Sequence, residues 1–233
     1  EITDLKSHAN VLSLISGNGF GREGYPVRGL FSIPFAGLTE DGLPTFINQD
    51  GQKTISSFNF QEYEKLDFLK YEGPTDPTIT GSFGNILTYK NLKLNVFVTY
   101  SFGNVIRLDP VFSNAYSDLD AMPKEFKNRW MKAGDENVTN IPTIVSTRMN
   151  QQYAYLNMAY NAYNYSDVRI ADGGFIRLKE ISLSYDLPAK VINFFRLNKL
   201  QLKLQATNLC LLYADSKLNG QDPEFFRSGG VST

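Results

Sequence analysis

This chain of 233 residues has one cysteine, one histidine and one tryptophan. With Cys210 alone, no internal disulfide can form. Its setting, Leu209-Cys-Leu-Leu212, reads as a small buried or lipid-facing apolar position. With His8 alone, a His-based triad or a multi-His metal site has little to work with. Charge of one sign is also missing. Lys and Arg total 23 against 24 Asp and Glu, and no cationic stripe runs along the chain, so nucleic acid is excluded as a partner. No apolar run approaches the roughly 18 residues of a membrane-spanning helix, which excludes a helical membrane protein. A β-barrel survives that test, because each of its strands carries only a weak signal. Glu1-Ile-Thr-Asp4 has neither a basic start nor an apolar stretch, so no signal peptide is recognised and the chain reads as a piece of something longer.

What is present is aromatic and alternating. There are 17 Phe and 13 Tyr. Between residues 172 and 188, Ile181, Leu183, Tyr185 and Leu187 alternate with Glu180, Ser182, Ser184 and Asp186. Strand side chains alternate faces, so this segment predicts a strand with one oily and one wet wall. Two further segments repeat the pattern. In 93–102, Leu94, Val96, Val98, Tyr100 and Phe102 oppose Lys93, Asn95, Thr99 and Ser101, with Phe97 as the exception. In 199–208, Leu200, Leu202, Leu204 and Ala206 oppose Lys199, Gln201, Lys203, Gln205 and Thr207. Residues 27–37 and 79–89 complete a set of roughly five strands, with Pro34 requiring an edge, a bulge or a rim. Such alternation fits a barrel with lipid outside and water inside, and equally a soluble β-sandwich that binds carbohydrate.

The connections separate the two. Long stretches (38–78, 104–172 and 212–233) alternate with short ones (90–91 and 188–198). Outer-membrane barrels have short periplasmic turns and long extracellular loops, whereas a sandwich has no reason to keep this parity. The strands also have about the 9–11 residues needed to cross a bilayer at a tilt. The predicted fold is all-β, an antiparallel transmembrane barrel segment. Leu94, Val96, Val98, Ile181, Leu183, Tyr185, Leu200, Leu202 and Leu204 are expected to meet membrane lipid and lipopolysaccharide. Asn95, Thr99, Glu180, Ser182, Ser184, Gln201, Lys203 and Gln205 are expected inside. Arg177 and Lys179 fall, by strict alternation, on the lipid side, which places the bilayer edge near Lys179. Val191, Ile192 and Phe195, with Lys190 and Arg196, suit the periplasmic membrane interface.

Catalytic patterns fail one by one. Gly19-Phe-Gly-Arg-Glu-Gly24 fits a dinucleotide fingerprint, but Tyr25-Pro-Val27 follows where a helix must start. The carboxylate pairs Glu62/Glu64, Asp118/Asp120, Asp135/Glu136 and Asp222/Glu224 are sequence neighbours in loops. A glycosidase needs two carboxylates facing each other across a sugar. No cofactor, metal or enzymatic activity is read from the chain. Trp130, Tyr153, Tyr155, Tyr160 and Tyr163 are the candidates for cargo or lid contact, set among Asn150, Asn157, Asn161 and Asn164. The same rings would serve equally to pack the long loop.

Short motifs then run in a recognisable order. They include Arg22-Glu-Gly-Tyr-Pro-Val27, Phe35-Ala-Gly-Leu38, Gly73-Pro-Thr-Asp-Pro77 and Tyr100-Ser-Phe-Gly-Asn104. Asn128-Arg-Trp130, Gly134-Asp-Glu136, Asn140-Ile-Pro142, Phe175-Ile-Arg-Leu178, Leu187-Pro188 and Gly220-Gln-Asp-Pro-Glu224 follow. In order and spacing the chain resembles the C-terminal part of the SusC/RagA family of TonB-linked outer-membrane transporters of Bacteroidetes. The resemblance implies a plugged barrel of about 22 strands in the Gram-negative outer membrane. It also implies energy from TonB, a SusD-like surface lipoprotein as lid, and an oligosaccharide or peptide cargo. On this reading residues 1–233 are barrel wall and loops, without the plug or the final strand.

Overall fold

The computed structural model describes residues 2, 9–17, 21–111, 124–153, 155–194 and 197–225. His8, Asp118, Asp120, Phe195 and Arg196 lie outside these residues. In chain order the elements are α1 (Val11–Ser16), β1 (Gly29–Ser32), β2 (Phe35–Leu38), β3 (Pro44–Ile47), β4 (Lys53–Thr54), β5 (Lys70–Pro74), β6 (Ile79–Tyr89), β7 (Leu92–Phe102) and β8 (Val105–Arg107). After these come α2 (Thr147–Gln152), α3 (Leu156–Asn164), β9 (Ile170–Asp172), β10 (Phe175–Asp186), α4 (Ala189–Phe194) and β11 (Gln201–Ala214). They form two compact units. One comprises Glu1–Asp76, Asn104–Asp172 and Ser216–Thr233; the other comprises Pro77–Gly103 and Gly173–Asp215.

The second unit is an antiparallel four-stranded sheet in the order β11-β10-β7-β6. Lys90-Asn91 makes the tight turn between β6 and β7, closed by the Tyr89–Leu92 pair. Asn91 Nδ2 donates to the Asp186 carbonyl at 2.7 Å and the Asp186 N–H returns to the Asn91 carbonyl at 2.9 Å, which fixes the neighbouring strand end. The register aligns like with like across β11, β10 and β7, while on β6 Asn85 falls in an apolar row and Ile86 in a polar one. Leu204, Leu183, Leu94 and Leu87 form one row, and Cys210, Leu178, Val98 and Phe83 another. The row between them holds Ala206, Ile181, Val96 and Asn85.

Two expectations about this sheet change. Four long strands are present among the described residues, and the segment at 27–37 belongs to the other unit, split into β1 and β2. The Ile33 N–H leaves any ladder to donate to the Tyr165 carbonyl at 3.0 Å, and Pro34 has no N–H to continue one. Second, the phase break at Lys179 is a β-bulge. Ile181 pairs with Val96 and Glu180 with Phe97, yet Leu178 pairs with Val98, so Lys179 is the extra residue. Beyond it, Ile176 and Leu178 share the face of Ile181 and Leu183, while Arg177 pairs with Thr99 on the polar face and is buried. Arg177 is therefore not on the apolar side, and strict alternation assigned it wrongly. Register shifts in the β10–β11 ladder, near the left-handed Asn208, likewise carry β11 on to Ala214. There the apolar run Leu209–Leu212 had hidden the strand.

The first unit is built around a hydrophobic core drawn from distant stretches. Leu14 and Ile15 of α1, Phe31 of β1, Phe46 of β3 and Tyr163 of α3 pack together. Helix α1 starts at a capping box, in which Asn10 Oδ1 accepts from the Ser13 N–H at 2.8 Å and Ser13 Oγ accepts from the Asn10 N–H at 2.9 Å. The stretches 38–78 and 104–172, which read as loops, thus carry short strands and helices with buried side chains of their own. Two arginines, Arg107 half-buried and Arg169 buried, bind the pieces. Arg107 donates to the carbonyls of Ile15 at 3.0 Å and Phe31 at 2.7 Å and lies over the Tyr165 ring. Burial pulls its pKa down to about 10, which leaves it charged at neutral pH. Arg169 pairs with Glu125 at 2.6 Å and donates to the Asp109 carbonyl at 2.6 Å.

Candidate functional site

The four-stranded sheet presents its apolar rows outward from itself. On β10, which is hydrogen-bonded on both sides, the polar residue Ser182 is 5% exposed, while Leu183 is 40% and Tyr185 41% exposed. A sheet of a water-soluble core has the reverse: its apolar face is covered and its polar face is wet. Leu202 and Leu204 on β11, and Phe83 and Leu87 on β6, are more exposed still. Leu94, Val96, Val98, Ile181, Leu183, Tyr185, Leu202 and Leu204 all lie on this one face. Leu200 precedes β11, its carbonyl accepting from the Leu187 N–H at 3.0 Å.

Aromatic rings mark both ends of the band. Tyr89 and Tyr185 flank the tight-turn end. Tyr100, Phe102 and Tyr213 gather at the other, with ring centroids 6.1 Å apart in the Tyr100–Phe102 and Phe102–Tyr213 pairs. From Leu92 to Phe102 the chain rises about 34 Å along the strand, or roughly 26 Å along a barrel axis at a 40° tilt, which matches an apolar band of about 25 Å between aromatic girdles.

The opposite face holds Asn95, whose amide donates to Glu180 at 3.2 Å, together with Lys93, Ser184, Lys203 and Gln205. Phe97, the exception in β7, sits on this face opposite Gly84, where a side chain would press on its ring. The glycine makes room for the misplaced aromatic.

The five aromatic candidates part company. Tyr160 and Tyr163 are each 1% exposed, so neither ring can meet a cargo or lid in this fold. The Tyr160 hydroxyl donates to the Thr143 carbonyl at 2.6 Å, and burial drives the Tyr163 pKa upward. The packing role weighed for these rings is what the structure assigns to these two. Trp130 is half-buried over Gly42, and its indole N–H donates to Glu136 at 3.0 Å. Gly42 has φ +76°, and a Cβ there would collide with the indole. Gly42→Ala is expected to cost at least the roughly 1–2 kcal/mol of a left-handed non-glycine residue, measured as a lower denaturation midpoint. Tyr153 donates its hydroxyl to Asp41 at 2.7 Å, and that bond raises its pKa. Tyr155 alone of the five is widely exposed, at 73%.

Tyr155 stands over an open cleft of about 440 Å³ in the first unit. Gln49, Ser56, Ser57, Phe58 and Asn59 line it from the β3–β5 region, and Met158 lines it from α3. Sequence reading missed these residues. Nothing in the linear order puts 49–59 beside 155–158, and the polar run Ser56-Ser-Phe-Asn59 looks like any loop. Among the described residues no three Cys, His, Asp or Glu side chains gather as a metal site.

An antiparallel sheet with an exposed apolar face, aromatic ends and long connections at one end of its strands has the pattern of a strand set from an outer-membrane β-barrel. The four strands here form an open sheet. Comparison with known proteins narrows the class. The TonB-dependent receptor P3 of Formosa agariphila is 25% identical over 209 residues, covering 86% of this chain and 18% of that protein. The structure of the RagAB peptide transporter superposes with a TM-score of 0.58 at 22% identity, over 88% of this chain and 20% of that one. The RagAB peptide importer in its open-open state gives 0.58 at 21% identity, over 89% and 21%. No family model matches. The chain spans about one fifth of the length of these relatives. It is similar to a segment of a SusC/RagA-type TonB-dependent outer-membrane transporter, as the order of its motifs implied. These relatives are a receptor and a transporter, not enzymes.

Proposed function

We propose that this chain is part of the C-terminal wall of a SusC-like, TonB-dependent outer-membrane importer of oligosaccharides or peptides, working with a SusD-like surface lipoprotein. The observation that carries the reading is the leucine row Leu204-Leu183-Leu94-Leu87, exposed at all but Leu94, on a face whose reverse is mostly polar. In water that face is a large exposed patch of the kind soluble monomers avoid. Against lipid it is satisfied, and the strands beside β6 and β11 in the complete barrel would cover their open edges. The stretches 38–78, 104–172 and 212–233 then lie outside the cell, and Lys90-Asn91 and α4 lie in the periplasm. Phe194, 82% exposed, and half-buried Val191 and Ile192 suit the interface there. TonB would act through the rest of the molecule, not through this wall.

The orientation has a direct test. In a cysteine-free full-length protein, a cysteine at Val138, which is 83% exposed, is expected to react with a membrane-impermeant maleimide on intact cells. A cysteine at Lys90 is expected to react only after the outer membrane is opened. The reverse pattern, or equal labelling at both sites, would overturn the proposed topology.

A further inference from the structure

We infer that the cleft beneath Tyr155 is a binding subsite for a neutral glycan segment. Its physiological cargo rests on the importer reading; the site itself rests on its own geometry. The first observation is the chemistry of the lining. Gln49, Ser56, Ser57 and Asn59 supply carboxamides and hydroxyls, Phe58, Met158 and Tyr155 supply apolar surface, and no charged side chain takes part. Each of those polar groups both donates and accepts, as the hydroxyls of a sugar do. An acidic or basic ligand would find no counter-charge here.

The second observation separates a glycan from a peptide. An extended peptide binds chiefly by main-chain hydrogen bonds to a free strand edge. None of the lining residues belongs to a strand, so the cleft offers no such edge, and part of its main chain is already engaged. The Ser57 N–H donates to Thr54 Oγ1 at 3.0 Å and the Phe58 N–H to the Ser56 carbonyl at 3.0 Å. The Ser57 carbonyl accepts from Asn48 Nδ2 at 3.5 Å and the Asn59 carbonyl from the Glu62 N–H at 3.1 Å. By contrast, the Ser56 and Ser57 hydroxyls have no hydrogen-bond partner among the described residues. Part of the main chain holds the loop in shape and Asn59 Oδ1 accepts from the Gln61 N–H at 3.1 Å, while the two serine hydroxyls are left to a ligand.

The third observation is Tyr155 itself. Its backbone is left-handed, φ +65°, at the start of α3, a conformation that disfavours any residue with a side chain. Glycine would fit there without strain, yet a ring stands there with most of its surface bare. Strain held beside a cleft points to use. Phe58 is held from behind, edge-on to Phe46 at 5.4 Å. At about 440 Å³ the cleft falls within the roughly 300–1,000 Å³ of small-ligand sites.

The test uses the full-length protein purified in detergent. Calorimetric titration with maltohexaose, cellohexaose, laminarihexaose, xylohexaose and mannohexaose, and with a neutral Gly-Ser decapeptide, is the measurement. At least one hexasaccharide is expected to bind with a dissociation constant of about 1 mM or tighter. Tyr155→Ala and Tyr155→Gly are expected to weaken it by about tenfold, and Tyr155→Phe to keep it. Tyr155→Gly removes the ring while relieving the backbone, so its loss of binding cannot be blamed on misfolding. No hexasaccharide binding, binding indifferent to the ring, or binding of the decapeptide alone would each overturn the proposal. Uptake of the bound hexasaccharide by cells with and without TonB is scored separately. Binding without TonB-dependent uptake sinks the importer reading and spares the cleft; such uptake with no binding at Tyr155 sinks only the cleft.

Discussion

Leu204→Lys in the full-length protein is expected to lower stability in liposomes by roughly 2–4 kcal/mol, the cost of a cation near the bilayer midplane on the lipid face. Leu204 sits in the four-leucine row, well inside the two aromatic ends. The adjacent substitution, Gln205→Lys, places the same charge on the other face, beside Ser182, and is expected to change stability by no more than about 0.5 kcal/mol. The readouts are the urea unfolding midpoint in liposomes and the temperature at which the folded band is lost on a detergent gel. The two positions are neighbours on one strand, so strand propensity and local disorder cancel, and only the facing differs. Equal effects at both sites would show that the apolar face is not the one in lipid.

The second large effect is expected in the other unit. Arg169→Met should destabilise it by up to roughly 3 kcal/mol, because Glu125 and the Asp109 carbonyl lose a buried partner. The Arg169 side chain is 3% exposed and that of Glu125 19%. Most of the loss comes from the stranded carboxylate rather than from an ion pair of great intrinsic worth. The double variant Arg169→Met/Glu125→Met is therefore expected to recover much of it. Limited proteolysis between residues 104 and 172, across a urea series, reads the effect without unfolding the barrel. If the double variant is as unstable as the single one, the cost lies in lost packing and not in the unpaired charge.

These two substitutions sit on opposite sides of what the sequence could reveal. The sheet was legible because a strand writes its facing into alternate letters, and Leu94, Leu183 and Leu204 needed no knowledge of the fold to be grouped. The reading failed where the backbone departs from a period of two. At Lys179 one extra residue reverses the alternation, and beyond Asn208 further shifts carry the strand through an apolar run. A bulge changes the count of residues, not their type, so composition gives no warning. The first unit was nearly illegible for a different reason. Its core joins Leu14, Phe31, Phe46 and Tyr163 from stretches far apart in the chain, each too short to show a period. Tyrosines 153, 155, 160 and 163 look alike as a cluster. Only the folded chain separates the two that pack from the one that stands bare.

The most direct test of the barrel-wall account is lipid contact, residue by residue. A bimane label at each position from Ile181 to Tyr185 in turn, in the full-length protein reconstituted with doxyl-labelled phospholipid, reports which side chains touch acyl chains. Strong quenching at 181, 183 and 185 and weak quenching at 182 and 184 is the expected result. Uniform weak quenching, or the opposite alternation, would contradict it.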